Sequence, residues 1–203
     1  RTWGEMGNYE LAEREMLKVV DNPRHSDLSQ KALSWAGHFR MKQRKYADAL
    51  PCLSKALRQK PTDDLAPQTL YDIAYCMEKS GYPRREVEQR YSEVRARYPE
   101  SGEADVASWR LARVALDAGQ HALAISRYES FLQRRSLNAP HVQEACCDLL
   151  GAYLETELYV RAAMLSEIMR SSFGAEQTYR RALPVVLEAY AKAEMPKLGL
   201  AAV

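Results

Sequence analysis

The stretch that decides the fold runs Ala32-Leu-Ser-Trp-Ala-Gly-His-Phe-Arg-Met-Lys-Gln-Arg-Lys-Tyr-Ala-Asp-Ala-Leu-Pro-Cys-Leu-Ser-Lys-Ala-Leu-Arg-Gln-Lys-Pro61. Tyr46, Ala49, Leu53 and Ala56 are spaced three, four and three residues apart, which places them on one face of an α-helix. Upstream, Ala36-Gly37 centres a second helical pattern twelve residues before Ala49. Two antiparallel helices approach best where a Gly or Ala on one meets an Ala on the other, with Leu and Tyr filling the space beside them. Arg44-Lys45 marks the turn between the two and Pro61 closes the unit.

The same mould recurs along the chain, so repeats are the first thing to establish. Val87, Tyr91, Val94 and Pro99 reproduce the spacing of Ala49, Leu53, Ala56 and Pro61. Ala124, Tyr128 and Phe131 give a third copy, with His121 in place of Tyr46 and Ser136 in place of the proline. Tyr9, Ala12, Met16 and Val19 form a copy at the start, and Tyr159, Ala162 or Ala163, and Met169 form a weaker one. Ile73-Ala74, Leu111-Ala112 and Leu150-Gly151 repeat the small-centred partner, so that Gly37, Ala74, Ala112 and Gly151 step by 37, 38 and 39 residues. Ser80-Gly81-Tyr82-Pro83 and Ala118-Gly119-Gln120 read as turns, and Ser26, Asp64, Ser101 and Asn138 read as helix N-caps.

These patterns predict an all-α chain of about ten helices: Tyr9 to Val20, Leu28 to Met41, Ala47 to Arg58, Pro67 to Lys79, Arg84 to Arg97, Glu103 to Asp117, Ala122 to Arg134, His141 to Glu155, Val160 to Arg170 and Glu176 to Ala193. Pro184 is expected to bend the last. One hairpin cannot bury its own apolar face, so hairpins stack. The expected organisation is a single solenoid: a half repeat at 1–23, repeats at about 26–61, 64–99, 101–136 and 138–172, and a half repeat at 175–193. Because the chain opens on Arg1 inside a structural unit, we expect it to be a piece of a longer protein.

Composition agrees and excludes several classes. Of 203 residues 46% are hydrophobic and 28% charged, and nine Gly with nine Pro leave little material for tight hairpins. Twenty-nine Lys and Arg against 27 Asp and Glu give a formal charge of +2, too balanced for nucleic acid as a general partner. No stretch is apolar for long enough to span a membrane. Cys52, Cys76, Cys146 and Cys147 all fall in predicted helices, without a Cys-x-x-Cys pair or a histidine at metal spacing, so no metal site and no cofactor is expected. No acid and histidine stand beside Cys146-Cys147 as an activating pair, and no Gly-rich phosphate loop occurs; no catalytic residue is named and the chain is not expected to be an enzyme. Arg40, Lys42, Arg44 and Lys45 read as a solvated helix end.

The unit Ala32 to Pro61, together with Ser108-Trp-Arg-Leu-Ala-Arg-Val-Ala-Leu-Asp-Ala-Gly-Gln-His-Ala-Leu-Ala-Ile-Ser-Arg-Tyr-Glu-Ser-Phe131, resembles the tetratricopeptide repeat (TPR) family over most of the chain. The resemblance implies a right-handed α-solenoid of antiparallel pairs whose first helices line a concave groove. The copies diverge from the family pattern, with a period longer than the usual ~34 residues and Val87 where the central Ala stands. The long period and the link Tyr98-Pro-Glu-Ser-Gly-Glu-Ala-Asp-Val-Ala107 resemble the longer repeats of bacterial cell-envelope proteins. That likeness implies outer-membrane assembly, polysaccharide export or secretion, and a periplasmic location. The four cysteines weigh toward the cytoplasm as the alternative.

By their spacing from the packing Gly or Ala, Trp35, His38 and Met41, then Tyr71, Tyr75 and Glu78, then Trp109, Arg110, Arg113 and Leu116 should face that groove. Trp, Tyr and Arg are the residue types enriched at binding hot spots. A protein or peptide partner follows, and with it a scaffold function; a spacer or oligomerisation element of a multi-protein machine is the alternative. The clamp with which some family members bind chaperone tails is disfavoured, because Asp72 would repel a terminal carboxylate.

Overall fold

The computed structural model describes residues 8–22, 28–59, 65–136, 139–173 and 177–195. Among them lie ten α-helices and no strand: α1 (Tyr9–Val20), α2 (Ser29–Lys42), α3 (Tyr46–Arg58), α4 (Ala66–Lys79), α5 (Arg84–Arg97), α6 (Gly102–Asp117), α7 (His121–Leu132), α8 (Val142–Glu155), α9 (Tyr159–Phe173) and α10 (Gln177–Lys192). Boundaries agree with the sequence patterns to within three residues. Ser101 caps α6 as expected, its Oγ accepting the Ala104 N–H at 3.1 Å. Ser26, Asp64 and Asn138 lie outside the described residues. Asn8 is a cap that the pattern missed: its side chain accepts the Leu11 N–H. Pro184 sits inside α10, which continues through it to Lys192.

One device joins the two helices of each pair. Arg44, Gly81, Gly119 and Glu157 all have φ near +60° to +75°, and Glu194 after α10 does too, at steps of 37, 38, 38 and 37 residues. At each, the following N–H donates to the carbonyl five residues back: Lys45 to Arg40, Tyr82 to Met77, Gln120 to Ala115, Leu158 to Tyr153 and Met195 to Tyr190, at 2.8–3.1 Å. This is a Schellman ending, in which a left-handed residue turns the chain and satisfies the last carbonyls of the helix. The ending after α10 has the same geometry as those after α2, α4, α6 and α8.

The chain divides into two compact units, 1–107 and 108–203, with the boundary inside α6 after Ala107. In the first, α1 to α5 contact one another in sequence and α2 also touches α4. In the second, α7 to α10 contact one another in sequence and α8 also touches α10. First helix against first helix is the contact that stacked hairpins make.

The turn register shows how each pair is filled. Gly37, Ala74 and Ala112 all lie seven residues before the left-handed residue, while the residue in that place in the α8–α9 pair is Leu150 and not Gly151. A Cβ on Gly37 would stand 2.5 Å from Leu53 Cγ, so this Gly is required by close approach. On Gly151 a Cβ would meet nothing within 4 Å. The place held by Leu53 in the first pair belongs by the same register to Ser166, which like Leu150 is fully buried. Large and small side chains have exchanged helices, which preserves the packed volume.

Candidate functional site

Among the described residues four polar or charged side chains are buried: Ser34, Thr69, Asp72 and Ser166. Three of them meet in one place. α2 turns Ser34, Trp35 and His38 to the same side at helical spacing, and α4 with its N-terminal flank turns Leu65, Gln68, Thr69 and Asp72 toward them. Together these seven residues enclose a cleft of about 130 Å³. Ser34 Oγ and Thr69 Oγ1 share a hydrogen bond of 2.8 Å in its wall. Asp72 Oδ1 accepts from Gln68 Nε2 at 2.7 Å, and Oδ2 lies 3.3 Å from His38 Nδ1. The Asp72 side chain is 4% exposed and that of His38 28%. Trp35 stands at the rim, 48% exposed, with its ring 5.8 Å from those of His38 and Phe39.

The other predicted residues of this unit sit nearby on the same helices. Tyr71 and Tyr75 on α4 stack on each other at 6.3 Å and are half-buried; Tyr75 meets Tyr46 and Tyr71 meets Tyr91 at 5.8 and 5.9 Å. Lys79 Nζ lies 5.4 Å from the Tyr75 ring centre. Met41 is half-buried on α2, and Glu78 accepts the Tyr91 hydroxyl at 2.7 Å.

The predicted residues of the second unit behave differently. Trp109 is only 6% exposed, so it is not the presented aromatic that the spacing suggested. Its ring stacks on His141 at 4.2 Å and 9°, and the Arg110 guanidinium lies 4.7 Å from the ring centre. Burial, with Arg110 adding to it, holds the His141 imidazole below its ordinary range although Glu144 opposes this. Arg113 pairs with Asp148 at 3.2 Å, and Asp148 also accepts the Tyr128 hydroxyl at 2.8 Å. Burial raises the Asp148 carboxyl above its ordinary range in spite of both partners. Leu116 is half-buried. Arg113 and the Trp109 ring are therefore engaged within the fold.

Ser34, Gln68 and Thr69 were missed by the sequence pattern, which weighed aromatics and charges. The available signal was two hydroxyls 35 residues apart, close to one repeat. Arg40 also departs from its reading as solvated charge. Its Nε donates to Glu13 at 2.8 Å, and its Nη1 reaches the Asp48 carbonyl at 2.8 Å and Cys52 Sγ at 3.3 Å, so it ties α1, α2 and α3 together.

The hydrogen bonds of the α2–α4 cleft define the groups it presents. Among the described residues no hydrogen bond joins His38 to either hydroxyl, and Ser34 and Thr69 engage each other. What it offers is a buried carboxylate, an imidazole and an exposed indole.

No family model matches the chain, and no curated protein does. Solved structures do. The chain is similar to BtubC (BKLC) from P. vanneervenii, with 16% identity and a TM-score of 0.71 over 97% of this chain and 86% of that one. It is similar to a tetratricopeptide repeat protein from Parabacteroides merdae, with 13% identity and a TM-score of 0.71 over 98% and 73%. It is also similar to the MamA RS-1 ArsTM double mutant, with 17% identity and a TM-score of 0.67 over 85% and 89%. Likeness at this level establishes the fold: an all-α, TPR-like solenoid of stacked helix pairs.

Proposed function

We propose that the chain is a protein-binding scaffold and that the first-helix face of its first unit, around Trp35, receives a segment of the partner. The observation that carries this is Trp35 itself, a large aromatic left 48% exposed at the rim of a cleft walled by buried polar groups. Exposed indoles beside fixed polar groups are what protein interfaces use as centres of affinity. Panning a random peptide display library on the chain tests it. Selected peptides should lose at least about tenfold in affinity on Trp35→Ala. Peptides that bind the folded variant as well as the parent, or the absence of any selected peptide, would count against the scaffold.

A second reading, an assembly element, is favoured by α9. Val160, Met164 and Ile168 form an i, i+4, i+8 stripe exposed at 57%, 63% and 49%. The register equivalents on α3 are Ala47, Pro51 and Lys55, and on α7 Ala122, Ser126 and Ser130, so the stripe is peculiar to α9 among these second helices. Analytical ultracentrifugation of the chain and of Met164→Glu decides it: a concentration-dependent oligomer in the parent that the substitution removes supports assembly.

We place the scaffold in a bacterial envelope machine serving outer-membrane assembly, polysaccharide export or secretion, with a periplasmic location. The 37- to 38-residue step of the turns supports this. The cysteines, which weigh toward the cytoplasm, do not oppose it where they are buried: burial pushes Cys76 and Cys146 up to about 12, which keeps them protonated and slow to oxidise. Fractionation of source cells with an antibody to the chain tests it; recovery with cytosolic markers would favour the cytoplasmic alternative.

A further inference from the structure

We propose that the α2–α4 cleft is a socket for one basic side chain, the ammonium of a lysine or the guanidinium of an arginine, carried by the partner segment. The proposal rests on the scaffold reading and names the chemistry of its partner.

Charge comes first. Asp72 is 3% exposed, and the Gln68 amide and the His38 ring lie at hydrogen-bond distance from it. No Lys or Arg among the described residues pairs with it, whereas Glu13, Glu78, Glu93, Glu129, Asp148 and Glu167 each have one within 4 Å. A carboxylate has about four lone-pair positions, of which two are taken here. His38, 3.3 Å away, is a counter-ion only when protonated, so Asp72 has no permanent cation beside it; removing a carboxylate from water without one is costly, and a cation brought by a ligand recovers that cost.

Shape and surroundings agree. A volume of about 130 Å³ is well short of the several hundred Å³ that a drug-sized ligand fills, and it suits the end of one side chain. Leu65 and the Trp35 ring supply apolar wall for an alkyl stem, and indole is the best of the aromatic rings for a cation. An anionic group would meet Asp72 head-on. A purely apolar one would leave the carboxylate, the two hydroxyls and the imidazole against hydrocarbon.

The test uses n-butylammonium chloride and n-propylguanidinium chloride as probes at constant ionic strength, with 1-butanol and sodium butyrate as neutral and anionic controls. Binding is followed on the Trp35 indole N–H resonance of the isotope-labelled chain, assigned through Trp35→Ala. Both cations should give saturable shifts, 1-butanol should bind at least about tenfold more weakly, and butyrate should give none. Asp72→Asn, with a spectrum still as dispersed as the parent's, should abolish the difference between butylammonium and 1-butanol. If Asp72→Asn does not fold, Gln68→Lys replaces it: a lysine on the preceding turn satisfies Asp72 internally and should shut out both cations. Equal binding of 1-butanol, no saturable shift, or cation binding unchanged in the folded variant would overturn the socket. Display-selected peptides that still bind Asp72→Asn but not Trp35→Ala would leave the scaffold standing and remove the socket. Cation binding that depends on Asp72, with no peptide selected, would do the reverse.

Discussion

At the scale of single residues, two glycines that look alike in sequence have opposite energetics. Gly37→Ala drives a methyl to 2.5 Å from Leu53 Cγ and 3.5 Å from the Ala49 carbonyl, so overpacking outweighs the better helix propensity of Ala and stability should fall by about 1–3 kcal/mol. Gly151→Ala meets open space and should gain about 0.5–1 kcal/mol. Urea denaturation of the two variants reads both signs, and a loss at Gly151 would refute the register that puts Leu150 in the packing place. The sequence pattern treated both as packing glycines because it searched for the small residue; the Leu150 and Ser166 exchange hides the true equivalent. A second place recurs four residues before three of the five left-handed turns. There Arg40, Tyr153 and Tyr190 each reach back to an acid on the preceding second helix, Glu13, Glu129 and Glu167. Burial raises the Glu13 carboxyl, but hydrogen bonds from Arg40 and Gln43 outweigh it and hold the group below its ordinary range. Its contribution is therefore present above the unfolded-state value near 4.3 and is lost as pH falls through the lower folded value. Glu13→Gln should cost about 1–2 kcal/mol at pH 7, and the gap to the parent should close as pH falls below about 4, followed by urea midpoints at each pH.

Single helices were the most legible level, since period 3.6 and punctuation suffice to place them. The turns between were half legible. Gly81 and Gly119 announce a left-handed residue, whereas Arg44, Glu157 and Glu194 adopt the same φ with side chains that do not favour it. What holds them is the pair of bonds that closes each helix, for example Glu157 N–H to Leu154 and Leu158 N–H to Tyr153 at 3.0 and 2.8 Å. Substitution should sort by residue type. Glu157→Gly relieves the Cβ clash and should raise stability by about 1 kcal/mol, while Gly119→Ala should lower it by a similar amount, both read from thermal unfolding. Neither position touches the α2–α4 cleft, so peptide binding by both variants should match the parent.

For the chain as a whole, the site was less legible than the fold because the fold repeats and the site does not. Trp35 and His38 could be named from their spacing alone. Trp109 was named by the same rule and proved buried, because His141, a non-helical residue with φ +64° just before α8, supplies a stacking partner that no periodic pattern predicts. The socket itself depends on Ser34, Thr69 and Asp72 being buried together, a property of two helices at once. The substantial helix contacts in each unit join elements adjacent or next but one in sequence. In such a stack stability is a sum of local terms and nearest-neighbour interfaces, so a defect should spread only as far as those contacts reach. Gly37→Ala strains the α2–α3 pair, in the first of the two units. Native-state hydrogen exchange should then show lost protection in α1 to α4, by a factor of about ten for each 1.4 kcal/mol of strain, while α8 to α10 keep the protection of the parent. A uniform loss from α1 to α10 would mean that the chain unfolds as one cooperative body, and that local contacts do not govern its stability.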